Sequence, residues 1–396
     1  MPRHPDISVA AGAMPASIFT RLRDRLAAHR GEVFPFHLGD THLLPPDEAR
    51  LEALEWRSMR EGTLYRYAAP AGDDELIEAL RRKLAAENRL DVGAASLQIT
   101  AGATHGFACA TRLILDAHDE LLLLAPFWPL MRGQAHAVGA RAVEVPFTSR
   151  LYEEPGVDVA QLIGEYVTPR TAAIYFTTPN NPDGKVLDRR VLAGIAEVAK
   201  SADLWVLADE VYEDYAFDGR EHVSIASLPG MAERTLTVFS FSKSYGQAGL
   251  RVGYVVGPEG PMAALRKLSN HSIYNVPVAM QRAALVALRE GSPFLLAARA
   301  AYSSAREAAV AALGRAGLGF HAPEGGAYVF VDFGARVGED GSALPVLETL
   351  AEGGVLLAPG DAFGKDYARF ARLCYTAMTP ARLAAGLDRF VELLGR

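Results

Sequence analysis

The sequence predicts an α/β fold: a mostly parallel sheet sandwiched by helices, with a smaller α+β unit beside it. Three observations carry this. Between about residues 97 and 258, short strand-like runs alternate with helical stretches. Many of those runs are apolar throughout rather than alternating, as strands covered by helices on both faces are. From about residue 280 the texture changes to long alanine-rich helices and a second set of short apolar runs.

The elements follow in order. Residues 1–45 read as an arm, with an amphipathic helix over 17–30, "SIFTRLRDRLAAHR", ahead of the turn-rich "HLGDTHLLPP". "PDEARLEALEWRSMR" and "DDELIEALRRKLAAEN" have helical spacing behind Pro and Asp start signals, and "YRYAAPAG" between them is a loop. The strand-like runs are "LQIT", "ELLLLA", "RAVEVPF", "AAIYFTT", "LWVLAD", "TLTVFSF" and "GYVVG". Beyond them come the helical "QRAALVALRE" and "FLLAARAAYSSAREAAVAAL", then "AYVFVDF", "GVLLAPG" and "FARLCYTA".

At 396 residues, half of them hydrophobic, the chain has material for a large core and more than one unit. The net charge is −7 and no basic block tracks a phosphate backbone, which argues against a nucleic acid partner. Cys109 and Cys374 give neither a disulfide framework nor zinc-ligand spacing, so a reduced, cytoplasmic setting is expected. The start lacks the apolar core of a secretory signal. The longest apolar run, "LLLLAPFWPLM", contains two prolines and is too short to span a bilayer, so no membrane association is expected. No G-x-G-x-x-G follows the first strand, which weakens a nicotinamide or flavin reading. "GDAFGK" at 360–365 falls one residue short of a phosphate loop and lacks the hydroxyl residue after its lysine.

Ligands in open parallel sheets bind beyond the carboxyl ends of the strands. Four polar clusters stand at such ends. "TAGATHG" follows "LQI", "TTPNNPDG" follows "AAIYF", "DEVYEDY" follows "LWVLA" and "SFSKSYG" follows "TLTVF". A sheet would bring Gly102, Ala103, Thr104, Asn181, Asp209, Tyr212, Ser240 and Lys243 to one rim. Alone, Lys243 could cap a strand end in solvent. Four clusters at four strand ends point to a site instead.

With "APFW", "PNNPDG", "ADEVYEDYAF", "SFSKSYGQAGLRVGY" and "RLCYTA" in this order, the chain resembles a fold-type I pyridoxal-phosphate enzyme. The resemblance is to the class I/II aminotransferase family, the aspartate aminotransferase group, over nearly the whole length. Gln247 departs from a usually apolar position, and "TPNNPDG" replaces the commoner Asn-Pro-x-Asn-Pro-Thr-Gly.

The resemblance implies a pyridoxal 5′-phosphate cofactor. It implies amino transfer from an L-amino acid to a 2-oxo acid through a Schiff base on Lys243, whose freed amine then carries the proton. Asp209 matches the carboxylate at the ring nitrogen, Asn181 and Tyr212 the partners of the 3′-oxygen, and Trp128 the stacking aromatic. The amides of Gly102, Ala103 and Thr104, the Ser240 hydroxyl and Arg251 match the phosphate site. Tyr67 matches a tyrosine that reaches the phosphate of the other subunit, which implies a homodimer with shared sites.

On the substrate side, Arg372 matches the clamp on the α-carboxylate and Gly39 the backbone against the substrate, with Asn181 beside them. Asp40, Thr41 and His42 form the least family-like stretch and are candidates for side-chain recognition. Asn270 stands where aspartate-specific members carry an arginine from the second subunit, with Tyr274 near the pocket. Ile18, Phe19, Trp128 and Tyr274 suggest a partly aromatic pocket. A donor other than a dicarboxylate is therefore expected.

The implied domains are an arm over 1–45 joined to the small domain, a large cofactor-binding domain over 46–280, and a small C-terminal domain over 281–396. A lyase, synthase or oxidase on the same fold is the alternative, because the motifs specify the cofactor rather than the outcome.

Overall fold

The computed structural model describes residues 7–12, 14, 20–27, 29–54, 62–338 and 341–395. Ile18 and Phe19 lie outside the described residues. All seven expected strands form one sheet: β1 (Leu97–Thr100), β2 (Glu120–Ala125), β3 (Arg141–Pro146), β4 (Thr171–Thr177), β5 (Trp205–Asp209), β6 (Thr235–Ser240) and β7 (Gly253–Val256). Their order is β1-β7-β6-β5-β4-β2-β3. Every residue of β2 and β6 is buried, because helices cover both faces, whereas the edge strand β3 is half exposed.

The strands from β3 to β6 run parallel. β7 reverses. A parallel neighbour needs a long crossover, usually a full helix. Only the four-residue helix Phe241–Ser244 and a short 3-10 turn lie between β6 and β7. β7 therefore returns antiparallel to β6, and β1 pairs antiparallel to β7. Two reversals give β1 the direction of β6. Thr100 and Ser240, the last residues of each, both stand opposite Gly253. The carboxyl ends of β1, β4, β5 and β6 thus share one rim.

The second sheet is antiparallel, in the order β10-β11-β9-β8, from β8 (Gly319–Phe320), β9 (Tyr328–Asp332), β10 (Ala358–Pro359) and β11 (Phe370–Cys374). β8 has two residues, too few to carry a pattern in the sequence. Its core packs Val329, Val331 and Leu373 with Phe390, and the arm adds Leu22, Phe34 and Phe36. Phe34 also bridges Val355. Leu22, Phe34 and Phe36 of the arm thus pack in the second core. The helix Val278–Glu290 buries Ala283, Ala284 and Ala287 in a cluster with Leu97 and Val256 of the large sheet. The next helix, Ser292–Arg315, carries Ala309, Ala312 and Leu313 into the second core.

The helical reading of 46–60 is not met where the chain is described. Asp47–Ala49 is a single 3-10 turn, and turns follow to residue 54. Pro46 at the cap offers no side-chain hydrogen bond, and Arg50 folds back on Asp47 and on the Pro45 carbonyl. In the arm, the described helices are Val9–Gly12 and Thr20–Leu26. Among the described residues, no helix is long and apolar enough to cross a membrane.

Candidate active site

β6 is buried to its last residue, and the chain must then turn. Ser240 caps the short helix Phe241–Ser244, its Oγ accepting from the Ser242 amide at 3.1 Å. That turn lifts Lys243 to the rim. Lys243 Nζ donates to the Gly39 carbonyl and lies 5.9 Å from the centroid of the Tyr212 ring.

β5 ends in Asp209, which is buried. The Tyr175 hydroxyl donates to its Oδ2 at 2.9 Å and the Val211 amide to Oδ1 at 3.4 Å. Burial raises its pKa to about 7, against the pull of those two bonds, and neighbouring Glu210 adds to the rise. At the end of β4 a tight turn presents Asn181. Asn180 Nδ2 donates to the Pro126 carbonyl at 3.1 Å and to Asp183 Oδ1 at 2.9 Å. Gly184 closes the turn at φ 74°, a left-handed conformation that favours glycine.

Arg372 reaches in from β11. Its Nη1 donates to Asn181 Oδ1 at 2.9 Å and its Nη2 to the His37 carbonyl at 2.8 Å. The guanidinium lies 4.2 Å from the Tyr328 ring centroid and 5.1 Å from that of Phe363. It is 7% exposed, and no carboxylate pairs with it among the described residues. A charge so placed is costly until an anion arrives. Arg369, the rival in the same run, instead pairs with Asp332 at 2.8 Å.

The helix Gly102–Ile114 opens at the same rim. Ala101 gives its first turn no side-chain cap, so the leading amides are open to an anion. Gly102 has φ 73°, and a Cβ there would lie 2.9 Å from Arg251 Cζ and closer still to Nη2. Arg251 Nη1 is held by the Ala248 carbonyl at 2.8 Å.

A cavity of about 360 Å³ lies among these groups. Lys243, Asp209, Tyr212, Asn181, Ser240 and Arg251 line it from the sheet rim. Ala103, Thr104 and Trp128 close one side, and Gly39, Asp40 and Arg372 the other. Gly102 sits behind Ala103, against Arg251.

Other expected residues lie elsewhere. Tyr67 and Tyr274 are 81% and 48% exposed, pack edge to face at 4.6 Å, and do not line the cavity of their own chain. Asn270 is half-buried on the helix leading to Tyr274. His42 Nδ1 meets the Thr376 carbonyl at 3.0 Å and Thr41 meets Tyr302, so only Asp40 of that stretch lines this cavity. Gln247, the departure from an apolar position, is buried, with its amide nitrogen 3.3 Å from the Ala283 carbonyl.

Two participants escape the sequence. Tyr328 lines the cavity, its hydroxyl 2.7 Å from that of Tyr212. Tyr175 holds Asp209 from inside β4. In an apolar strand a tyrosine reads as core packing, and only the polar Thr177 and Asp209 at neighbouring strand ends hint at a hydroxyl partner.

Lys243, Arg251 and Arg372 surround the cavity, and none makes a salt bridge among the described residues. A phosphorylated pyridine aldehyde suits such surroundings: an amine for the aldehyde, a buried acid for the ring nitrogen, and open amides with a cation for the phosphate. The class is that of the pyridoxal 5′-phosphate enzymes. Residues 33–390 match the family described as aminotransferase class I and II, and the chain belongs to it.

It is 34% identical to the probable aspartate/prephenate aminotransferase of Aquifex aeolicus over 386 residues, 96% of this chain and 95% of that protein. It is 38% identical to an arginine–pyruvate transaminase of Pseudomonas aeruginosa over 301 residues, 74% of this chain and 75% of that one. The Thermus thermophilus aspartate aminotransferase solved with maleate superposes with a TM-score of 0.89, at 29% identity, covering 98% of this chain and all of that one. The protein is an aminotransferase that uses pyridoxal 5′-phosphate.

Proposed function

We propose that this enzyme takes its amino group from an L-amino acid whose side chain is not a carboxylate and passes it to a 2-oxo acid. The buried Arg372, bonded only to neutral oxygens, is the observation that carries the reading. Its Nη1 and Nη2 each donate to a neutral oxygen, of Asn181 and of the His37 carbonyl, and its buried Nε has no hydrogen-bond partner among the described residues, so a substrate α-carboxylate would find donors to take.

When bound, the cofactor supplies the aldehyde and an electron-withdrawing ring. Lys243 would hold it and would carry the proton at the substrate α-carbon. Asp209 would hold a proton at the ring nitrogen, steadied by Tyr175. Tyr212 and Asn181 would face the ring oxygen, and Trp128 the ring itself. The amides of Gly102, Ala103 and Thr104, with Arg251, would hold the phosphate. Ser240 accepts from Ser242 and keeps its own proton to donate there.

With Lys243 and Arg251 committed to the cofactor, Arg372 is the one remaining cation among the described lining residues. Asn270, a neutral amide, stands where a second arginine would come from the partner. A neutral or aromatic donor follows. Asp40 on the cavity wall favours a cationic donor as the second reading, and one relative is named for arginine.

The exposed Tyr67–Tyr274 pair supports a homodimer in which each chain completes its partner's site. Free, buried Cys109 and Cys374 accord with a cytoplasmic setting. The expected division at 45/46 is proposed with this reading, while the helix Val278–Glu290, packed on the large sheet, supports moving the last junction from 280/281 to near Gly291.

The test is kinetic, with aspartate, phenylalanine, alanine, glutamine and arginine as donors. Arg372→Ala removes a charge-assisted pair of about 1.5–3 kcal/mol. It should lower kcat/KM for every donor by roughly ten- to a hundredfold. Aspartate as the best of the five would overturn the donor reading. Loss for one donor alone would overturn the clamp.

A further inference from the structure

We propose that Tyr328 is a positioning residue that aims the Tyr212 hydroxyl into the cavity. This rests on the reading above, in which Tyr212 serves the cofactor's ring oxygen. The two hydroxyls lie 2.7 Å apart and the rings meet edge to face at 5.7 Å. Both side chains are buried.

Each hydroxyl has one proton and can accept as well. If Tyr212 donates to Tyr328, its proton points away from the cavity. An ionised ring oxygen of the cofactor would only accept, so Tyr212 must donate to it. Tyr328 must then donate to Tyr212. Tyr212 is the one partner seen for the Tyr328 hydroxyl among the described residues. The order Tyr328 to Tyr212 to ring oxygen satisfies both protons, and each bond strengthens the next.

Two further contacts hold Tyr328 in place. Its ring backs the Arg372 guanidinium at 4.2 Å. Gly39 faces its tip: a Cβ there would lie 3.2 Å from Tyr328 Cζ and would overlap the hydroxyl. The charged and titratable groups around the pair are Lys243, Asp209 and Arg372, with Cys374 in the same packed cluster.

A donor to the ring oxygen draws charge from it. It thereby loosens the proton that the oxygen shares with the Lys243 nitrogen. A weaker donor leaves that proton on to higher pH. The experiment follows the visible absorbance of the resting holoenzyme against pH, without substrate. Tyr212→Phe should raise the midpoint most. Tyr328→Phe keeps the ring under Arg372 and should raise it by about half a unit to one unit, the reach of one neutral hydrogen bond. Its KM for the donor should stay within twofold, since the clamp is untouched. Gly39→Ala, whose methyl overlaps the Tyr328 hydroxyl and forces that side chain to shift, should move the midpoint in the same direction.

A shift with Tyr212→Phe but none with Tyr328→Phe or Gly39→Ala would overturn the role of Tyr328 and leave the proposed function standing. No shift with Tyr212→Phe would overturn the assignment of Tyr212, and this inference with it.

Discussion

Gly102→Ala separates the two reasons for a glycine at the start of the helix proposed to face the phosphate. The first is backbone. At φ 73° an L-residue pays about 1–2 kcal/mol for left-handed geometry. That cost falls on the protein with or without cofactor, so it belongs in the thermal unfolding of the apoprotein. The second is space. The added methyl lies 2.9 Å from Arg251 Cζ and nearer to Nη2, so the guanidinium must move. Its neutral tether, the Ala248 carbonyl at 2.8 Å, will not hold it against a clash. Losing one charge-assisted bond to the phosphate costs about 1.5–3 kcal/mol, on the order of a ten- to hundredfold weaker affinity. The assay is a titration of apoprotein with pyridoxal 5′-phosphate, read by tryptophan quenching because Trp128 lines the cavity. The double variant Gly102→Ala/Arg251→Gln should bind no worse than Arg251→Gln alone, because the methyl acts through Arg251. Affinity within twofold of wild type for Gly102→Ala, or additive losses in the double variant, would refute the cradle.

Two other outcomes are expected. Asp209 in the folded apoprotein holds its proton to about pH 7, whereas the unfolded chain releases it near 3.8; the folded state therefore binds more protons between these values and loses stability as pH rises through them. The Tm advantage of Asp209→Asn apoprotein over wild type should grow from about pH 4 to 7 and then level off, and an advantage that shrinks with pH would contradict the burial argument. Tyr67→Phe should weaken cofactor binding, and mixing it with Lys243→Ala subunits should restore part of the activity through hybrid dimers; a fully active monomer in sedimentation would remove the shared site.

The strands of the large sheet were legible because their chemistry is uniform: buried on both faces, they contain few residues that could belong elsewhere. The direction of β7 was not. "GYVVG" is apolar like the parallel strands β2 and β4, and its reversal comes from the short connection after β6. The described part of the next segment, 46–54, misleads for the opposite reason. "PDEARLEALEWRSMR" has helical spacing, but the turn at Asp47–Ala49 closes on Arg50, whose side chain bonds Asp47 and the Pro45 carbonyl, and such local bonds displace the helix without altering the spacing.

The site divides along the same line. Residues proposed to act from strand ends, such as Lys243, Asp209 and Asn181, stand in polar clusters after apolar runs, so position alone marked them. Tyr175 and Tyr328 act from within strands, where their rings satisfy the core pattern and only their hydroxyls serve the site. Whether a tyrosine hydroxyl has a partner is decided by which strands lie side by side, and no single segment contains that information. The β4–β5 register pairs Tyr175 with Leu207 and Thr177 with Asp209, which leaves the Tyr175 hydroxyl two residues behind the acid it supports. Tyr328 belongs to another sheet altogether, and it meets Tyr212 only because β9 and β11 bring it and Arg372 to the rim together. The reacting groups thus come from one sheet. The hydroxyls proposed to orient them come from inside β4 for Tyr175 and from the second sheet for Tyr328, and substitutions there should alter proton positions before they alter cofactor binding.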